Sequence, residues 1–165
     1  RSSDLVLFLR HGKSDWDADF DHDHDRPLAK RGRKAAKAMG QLLADLGELP
    51  DRVLRASAGR ARSTLDLATA AGGWTVPVET TEALYHAAPT DLLALLRREA
   101  EMTEVLLLVG HEPTWSGTIS RLIGGGRLKY PTAALARVDL DITAWAKADF
   151  GTGTLIYLFP SRPFS

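Results

Sequence analysis

The chain contains no cysteine. That removes disulfides, thiolate nucleophiles and cysteine-ligated zinc together, and it is compatible with a reducing compartment. It has no surplus of charge either: 21 basic and 21 acidic side chains cancel. The basic excess of a general nucleic-acid binder is therefore missing, although a local cationic pocket is not excluded. No apolar run approaches the length of a membrane span, and the first of them, Leu5–Leu9, is too short for a signal-peptide core. There is no internal repeat and no low-complexity tract. What remains is an ordinary globular composition, 44% hydrophobic and 25% charged over 165 residues, which suits a single domain spanning residues 1–165. A cytoplasmic protein with no nucleic-acid or membrane partner is expected. The oligomeric state is left open, and a monomer is compatible with all of this. Arg1, Ser2 and Ser3 are given no role.

Apolar patterning supplies the organisation. Leu5–Leu9 reads as a short buried strand. A helix over Lys30–Leu46 follows, with Ala35, Ala36, Met39, Leu42, Leu43 and Leu46 at helical spacing. A second strand is expected around Val53-Leu54, then a helix opening at Ala58-Gly59-Arg60 and carrying Leu65, Leu67 and Ala68. Val76-Pro77-Val78 reads as an edge strand because of its proline, and residues 79–86 as a connecting loop. Next come a helix over Thr90–Glu101 capped by Thr90, the strong strand Glu104–Val109, a helix to about Ile123, and strands Ala133–Leu140 and Thr154–Phe159. This alternation predicts a three-layer α/β/α fold around a mostly parallel sheet of about six strands.

Two charged stretches stand out. Residues 15–25 alternate Asp with His22 and His24; a solvated acidic loop is the simpler account, and a metal site has no matching ligand cluster elsewhere. The early turns of the 30–46 helix carry Lys30, Arg31, Arg33, Lys34 and Lys37, where the helix dipole disfavours cations. A nearby anion, the acidic loop or a solvated face would each explain them, the solvated face most simply.

The chemistry-bearing residues sit at strand ends. Arg10-His11-Gly12 leaves the first strand, Gly110-His111-Glu112-Pro113 leaves the Glu104–Val109 strand, and Arg60 opens a helix directly after a strand. Ligands of open α/β sheets collect outside the carboxyl ends of strands. Two arginines and two imidazoles there suit the negatively charged transition state of phosphoryl transfer, with a histidine as nucleophile. Each dipeptide alone would more often be structural; the recurrence tips the balance.

With these residues in hand, the chain resembles the histidine phosphatase superfamily, whose fold is phosphoglycerate-mutase-like. Arg10-His11-Gly12, Arg60-Ala61-Arg62-Ser63-Thr64 and Gly110-His111-Glu112-Pro113 resemble its three motifs, in order. The compact length, Arg26-Pro27-Leu28 with Arg31-Gly32, and residues 131–136 look like the SixA-type phosphohistidine phosphatases. The resemblance implies His11 as the phosphorylated nucleophile, Arg10 and Arg60 as phosphoryl ligands, and His111 beside them in the transition state. Arg60 is chosen over Arg62 by its place before Ala61 and four residues before Thr64. Ser14 and His86 are further substrate-binding candidates. No cofactor and no metal are implied, and the partner is a phosphorylated protein or a small phosphorylated substrate.

The chain departs from the family pattern in three ways. Ala56-Ser57 stands where a Ser-Pro often precedes the second arginine, Asp17 stands where mutase-like members carry Asn, and no clear general acid follows the middle strand. Asp17 is therefore expected to point away from a bound phosphate. Glu82 and His86 lie in the right region for an acid, but in no convincing motif. An alkoxide leaving group needs a proton, whereas phosphohistidine can leave as neutral imidazole once its ring is protonated, so the gap favours a phosphoramidate substrate. A small-molecule phosphomonoesterase acting on a sugar phosphate or nucleotide is the alternative enzyme. A phosphate-binding module without turnover is the alternative from another class.

Overall fold

The computed structural model describes residues 4–165; Arg1, Ser2 and Ser3, which the sequence gives no role, lie outside the described residues. Six strands form one sheet: β1 (Asp4–Arg10), β2 (Arg52–Ala56), β3 (Val78–Thr81), β4 (Val105–Gly110), β5 (Leu135–Leu140) and β6 (Gly153–Phe159). Their order is β3-β2-β4-β1-β5-β6. Strands β1 to β4 run parallel, β5 is antiparallel to β1, and β6 is antiparallel to β5. The sheet is therefore mixed, with a parallel majority and an antiparallel pair at one edge.

Four helices connect these strands: α1 (Lys30–Leu46), α2 (Gly59–Gly72), α3 (Pro89–Arg97) and α4 (Thr114–Leu122). The chain steps from β1 to β2 to β3 in one direction across the sheet, then returns through α3 to β4. Parallel crossovers are right-handed, so the reversal places α1 and α2 on one face and α3 on the other. The helices pack as the pairs α1 with α2 and α3 with α4. The layers follow from this handedness rather than from any single contact.

The centre of the sheet is apolar on both faces, as a doubly covered parallel sheet requires. Val6–Leu9 of β1 and Leu106–Val109 of β4 are all buried, each full burial contributing on the order of 1.5–3 kcal/mol. Phe8 meets Trp115 edge-on at 6.2 Å between ring centroids.

Several boundaries differ from the sequence expectation: β3 takes up residues 79–81 of the expected loop, and β5 begins at Leu135 rather than Ala133. The edge strand starts at Val78, after the proline: Pro77 gives only its carbonyl, accepting from Val53 N–H at 2.9 Å, and the ladder begins beyond it. Helix α3 starts at Pro89 and stops at Arg97, so Thr90 lies inside it. Proline suits the first helical position because its missing N–H has no intrahelical partner there. The Asp91 carboxylate accepts from Ala88 N–H at 2.9 Å instead of a threonine cap.

Candidate active site

The pairing of β1 with β4 sets Arg10 opposite Gly110. One residue on, His11 N–H donates to the Gly110 carbonyl at 2.8 Å. His11 and His111 thus leave neighbouring strands at the same level, where parallel neighbours are about 4.8 Å apart. After β1 the chain crosses toward β2, and after β4 it crosses the other way, toward β5. Such a reversal opens a crevice at the carboxyl ends of the two strands.

His11 is buried, 7% exposed, and its Nδ1 lies 2.7 Å from the Gly12 carbonyl. A carbonyl only accepts, so Nδ1 carries the proton and Nε2 keeps its lone pair. Burial pushes the ring pKa down to about 4; the Gly12 hydrogen bond opposes this, while Arg60, Arg10 and His111 add to it. At neutral pH the ring is therefore uncharged. Its backbone is held from both sides. Gly12 N–H donates to Thr64 Oγ1 at 3.0 Å, and that hydroxyl donates to the Arg60 carbonyl at 2.7 Å. One buried threonine thus ties the end of β1 to the start of α2. A Cβ on Gly12 would lie 2.5 Å from the Gly32 carbonyl oxygen, and one on Gly32 would lie 2.1 Å from that of Lys13, so the two backbones meet where only glycine fits.

The arginines are anchored without being neutralised in the same way. Arg10 Nη1 donates to the Tyr130 carbonyl at 2.7 Å, and buried Tyr130 donates its hydroxyl to the Phe8 carbonyl at 2.6 Å. Arg60 is buried whereas Arg62 is exposed. Arg60 donates from Nη1 to the Asp23 carbonyl at 2.8 Å and from Nη2 to the Asp23 carboxylate at 3.1 Å. The same carboxylate accepts from buried Arg26 and, at 2.9 Å, from the Tyr85 hydroxyl. The Nε groups of Arg10, Arg26 and Arg60 are buried without a hydrogen-bond partner. Buried guanidinium donors of this kind suit an oxyanion.

His111 is half-buried, and its pKa is lowered by burial and then by Arg60, His86 and Arg10, with Glu112 opposing. Its ring lies 6.3 Å from those of Tyr85 and Trp115. Glu112 is engaged at the start of α4, accepting from Ser116 N–H and hydroxyl, both at 2.6 Å.

The lesser candidates fall around this centre. Ser14 is buried and forms an isolated antiparallel bridge with Leu28, which pins the base of the loop between them. His86 is exposed at the rim, its ring 4.5 Å from that of Tyr85. Glu82 is exposed and lines a surface groove with Ala94, Leu95 and Arg98 that none of Arg10, His11, Arg60 and His111 lines. Asp17 is exposed, its N–H donating to the Asp15 carboxylate at 2.9 Å.

The acidic loop does more than the sequence indicates. His24 Nε2 lies 2.9 Å from Ser57 Oγ, and its ring meets Tyr85 at 5.1 Å. Asp23 reaches the arginines. Among the described residues no group of three or more His, Asp or Glu side chains is placed to hold a metal ion. Asp23 and Tyr85 join this cluster without having been singled out in the sequence. Arg26 stood out there only within Arg26-Pro27-Leu28, with no role at the site.

An uncharged imidazole among buried guanidinium groups suits phosphoryl transfer. The model of the histidine phosphatase superfamily (branch 1) matches residues 6–92, more than half of the chain, and the chain belongs to that superfamily. An uncharacterized protein of Mycobacterium tuberculosis is 37% identical over 159 residues, covering 90% of this chain and 96% of the relative. The structure is similar to that of a protein assigned as the phosphohistidine phosphatase SixA of Agrobacterium tumefaciens. The TM-score is 0.79 and the identity 27%, over 95% of this chain and 97% of that one. A structure of the protein histidine phosphatase SixA complexed with tungstate shares the fold, with TM-score 0.82 and 24% identity over 95% of this chain and 97% of that one. No helix among the described residues is long and apolar enough to cross a membrane.

Proposed function

We propose that the chain is a phosphohistidine phosphatase that works through a phosphorylated His11. The observation that carries the proposal is the His11 ring itself: Nδ1–H is committed to the Gly12 carbonyl, leaving an uncharged, lone-pair-bearing Nε2 among Arg10, Arg60 and His111. The Nε2 lone pair attacks the phosphorus, the substrate's P–N bond breaks, and the departing imidazole takes its electron pair and stays neutral if its other nitrogen carries a proton. Water then attacks phosphorus, the P–Nε2 bond breaks, and orthophosphate leaves with the water's proton. Arg10, Arg60 and His111 stabilise the charge on the equatorial oxygens in both steps.

The preference for a phosphoramidate over an ester rests on the carboxyl groups near the site. Burial alone would raise the Asp23 pKa, but the Tyr85 hydrogen bond, Arg60 and Arg26 outweigh it and hold the group below its usual range, so it remains anionic. Glu112 is committed to Ser116, and Glu82 is exposed in a surface groove that it lines with His86. An alkoxide would find no carboxylic acid held at the site to protonate it, while an imidazole already protonated on its far nitrogen leaves neutral without one.

The test compares wild type with His11→Ala on a histidine-phosphorylated protein, with phosphoserine protein and a sugar phosphate as controls, in chelator at neutral pH. Release from phosphohistidine alone, abolished in the variant, is the expected result. Release mainly from the sugar phosphate would favour a small-molecule phosphomonoesterase, and equal activity in the variant would overturn the site.

A further inference from the structure

The first two turns of α1 carry Lys30, Arg31, Arg33, Lys34 and Lys37, all exposed, with no acidic residue in the first turn. Cations there oppose the helix dipole, so the arrangement works against helix stability. Other arginines of the chain are paired with carboxylates, among them Arg52, Arg55 and Arg137. Among the described residues none of the five α1 cations forms an ion pair. Together they form an exposed cationic face with no acidic residue among them.

This surface begins beside the turn that follows His11, where Gly12 and Gly32 meet. Arg31 also lines a neighbouring cavity of about 330 Å³ together with Lys13, Thr132 and Arg162, again without an acidic side chain. Lys13 lies two residues from His11, and its carbonyl accepts from Ala29 N–H at 2.8 Å, at the start of α1. From Lys30 to Lys37 the cations extend about 10 Å along the helix at 1.5 Å per residue.

We propose that this cationic face docks an acidic surface on the protein whose phosphohistidine enters the site; the inference rests on the phosphohistidine reading above. A small phosphorylated metabolite would gain little from charges spread this far, because exposed charges fade over a Debye length of about 8 Å at physiological salt. A protein-borne phosphohistidine brings its surrounding surface onto the enzyme, and complementary charge there accelerates encounter and selects the partner. A membrane-binding helix would set aromatic and apolar side chains beside its cations. Here Ala35, Ala36, Met39 and Leu43 are buried in the core.

The experiment uses two synthetic peptides, each bearing one phosphohistidine, flanked by glutamates in one and glutamines in the other, with free phosphohistidine as reference. The variant is Lys30→Glu/Arg31→Glu/Lys34→Glu; Arg33 is kept because it donates to the Leu28 carbonyl. Wild type at low salt should turn over the acidic peptide about tenfold more efficiently, through KM, and lose that preference in high salt. The variant should lose the preference, retain turnover of free phosphohistidine, and melt no lower than wild type, since acidic residues suit a helix N-terminus.

Equal turnover of both peptides by wild type, or an undiminished preference in the variant, would overturn the docking face and leave the phosphohistidine reading standing. Hydrolysis of a sugar phosphate with no turnover of any phosphohistidine probe would overturn both. Retention on anionic lipid vesicles that the variant loses, without a peptide preference, would assign the face to a membrane and overturn the protein partner.

Discussion

Arg60 grips both the main chain and the side chain of Asp23, donating to the carbonyl at 2.8 Å and to the carboxylate at 3.1 Å. The guanidinium is thereby oriented by a residue 37 positions earlier. Asp23→Ala keeps the backbone bond but releases the carboxylate bond, so Arg60 is held less firmly and kcat should fall about tenfold, within the range by which loss of outer supporting contacts degrades a site. With Arg26 and Arg60 no longer sharing an internal anion, orthophosphate should inhibit more strongly. Steady-state kinetics with added phosphate measures both, and Asp23→Asn, which keeps one acceptor, should lie between.

Thr64 connects Gly12, next to His11, to α2 through a hydroxyl that both accepts and donates. Thr64→Val keeps the shape and leaves Gly12 N–H and the Arg60 carbonyl without this partner. The expected cost is about 1–3 kcal/mol of stability for the buried unsatisfied group, with a loss of kcat from a displaced His11. Thr64→Ser should restore most of both, as read by denaturant unfolding and by turnover.

The His11 ring gives the chain a defined response to acid. Its folded pKa of about 4 lies below the ordinary 6.5, so between these values the unfolded chain binds more protons and stability falls as pH is lowered. The contribution is complete above pH 6.5 and is lost by pH 4, to the extent of about 3 kcal/mol for this shift. Unfolding by denaturant at pH 4.5 and 7 should show a smaller drop in His11→Gln than in wild type. Ring NMR signals should show His11 still neutral at pH 5.5, so that, acting as the proposed nucleophile, it is not the group limiting activity in that range.

The contact of Gly12 with Gly32 leaves no space for a methyl group, since a Cβ on Gly32 would lie 2.1 Å from the Lys13 carbonyl oxygen. Gly32→Ala should therefore destabilise by about 1–3 kcal/mol, as overpacking does. For a chain of this size each kcal/mol lowers Tm by about 2–4 °C, and calorimetry reads it. Because Lys13 adjoins the His11-Gly12 turn, activity should fall at temperatures where the variant is still folded.

Much of this molecule is legible locally. Helix α1 runs over Lys30–Leu46 as its apolar spacing indicates. Arg10, His11, Arg60 and His111 could be singled out because each follows a short apolar strand, and strand ends are where α/β sheets collect ligands. Sequence by itself thus determined which elements form and which side chains stand at their ends. The cationic start of α1 was equally visible, but its place beside the turn that follows His11 was not.

Tertiary structure decided the rest. An alternating apolar pattern has the same period in parallel and antiparallel strands, so nothing local showed that β5 and β6 reverse direction or that β4 lies beside β1. That adjacency alone brings His11 level with His111. Asp23 read as one aspartate among many in a solvated loop. Its partners Arg60 and Tyr85 lie 37 and 62 residues further along. The path of a polar loop is set by the surfaces it crosses rather than by its own pattern, so those contacts arose only when the sheet and helices had assembled.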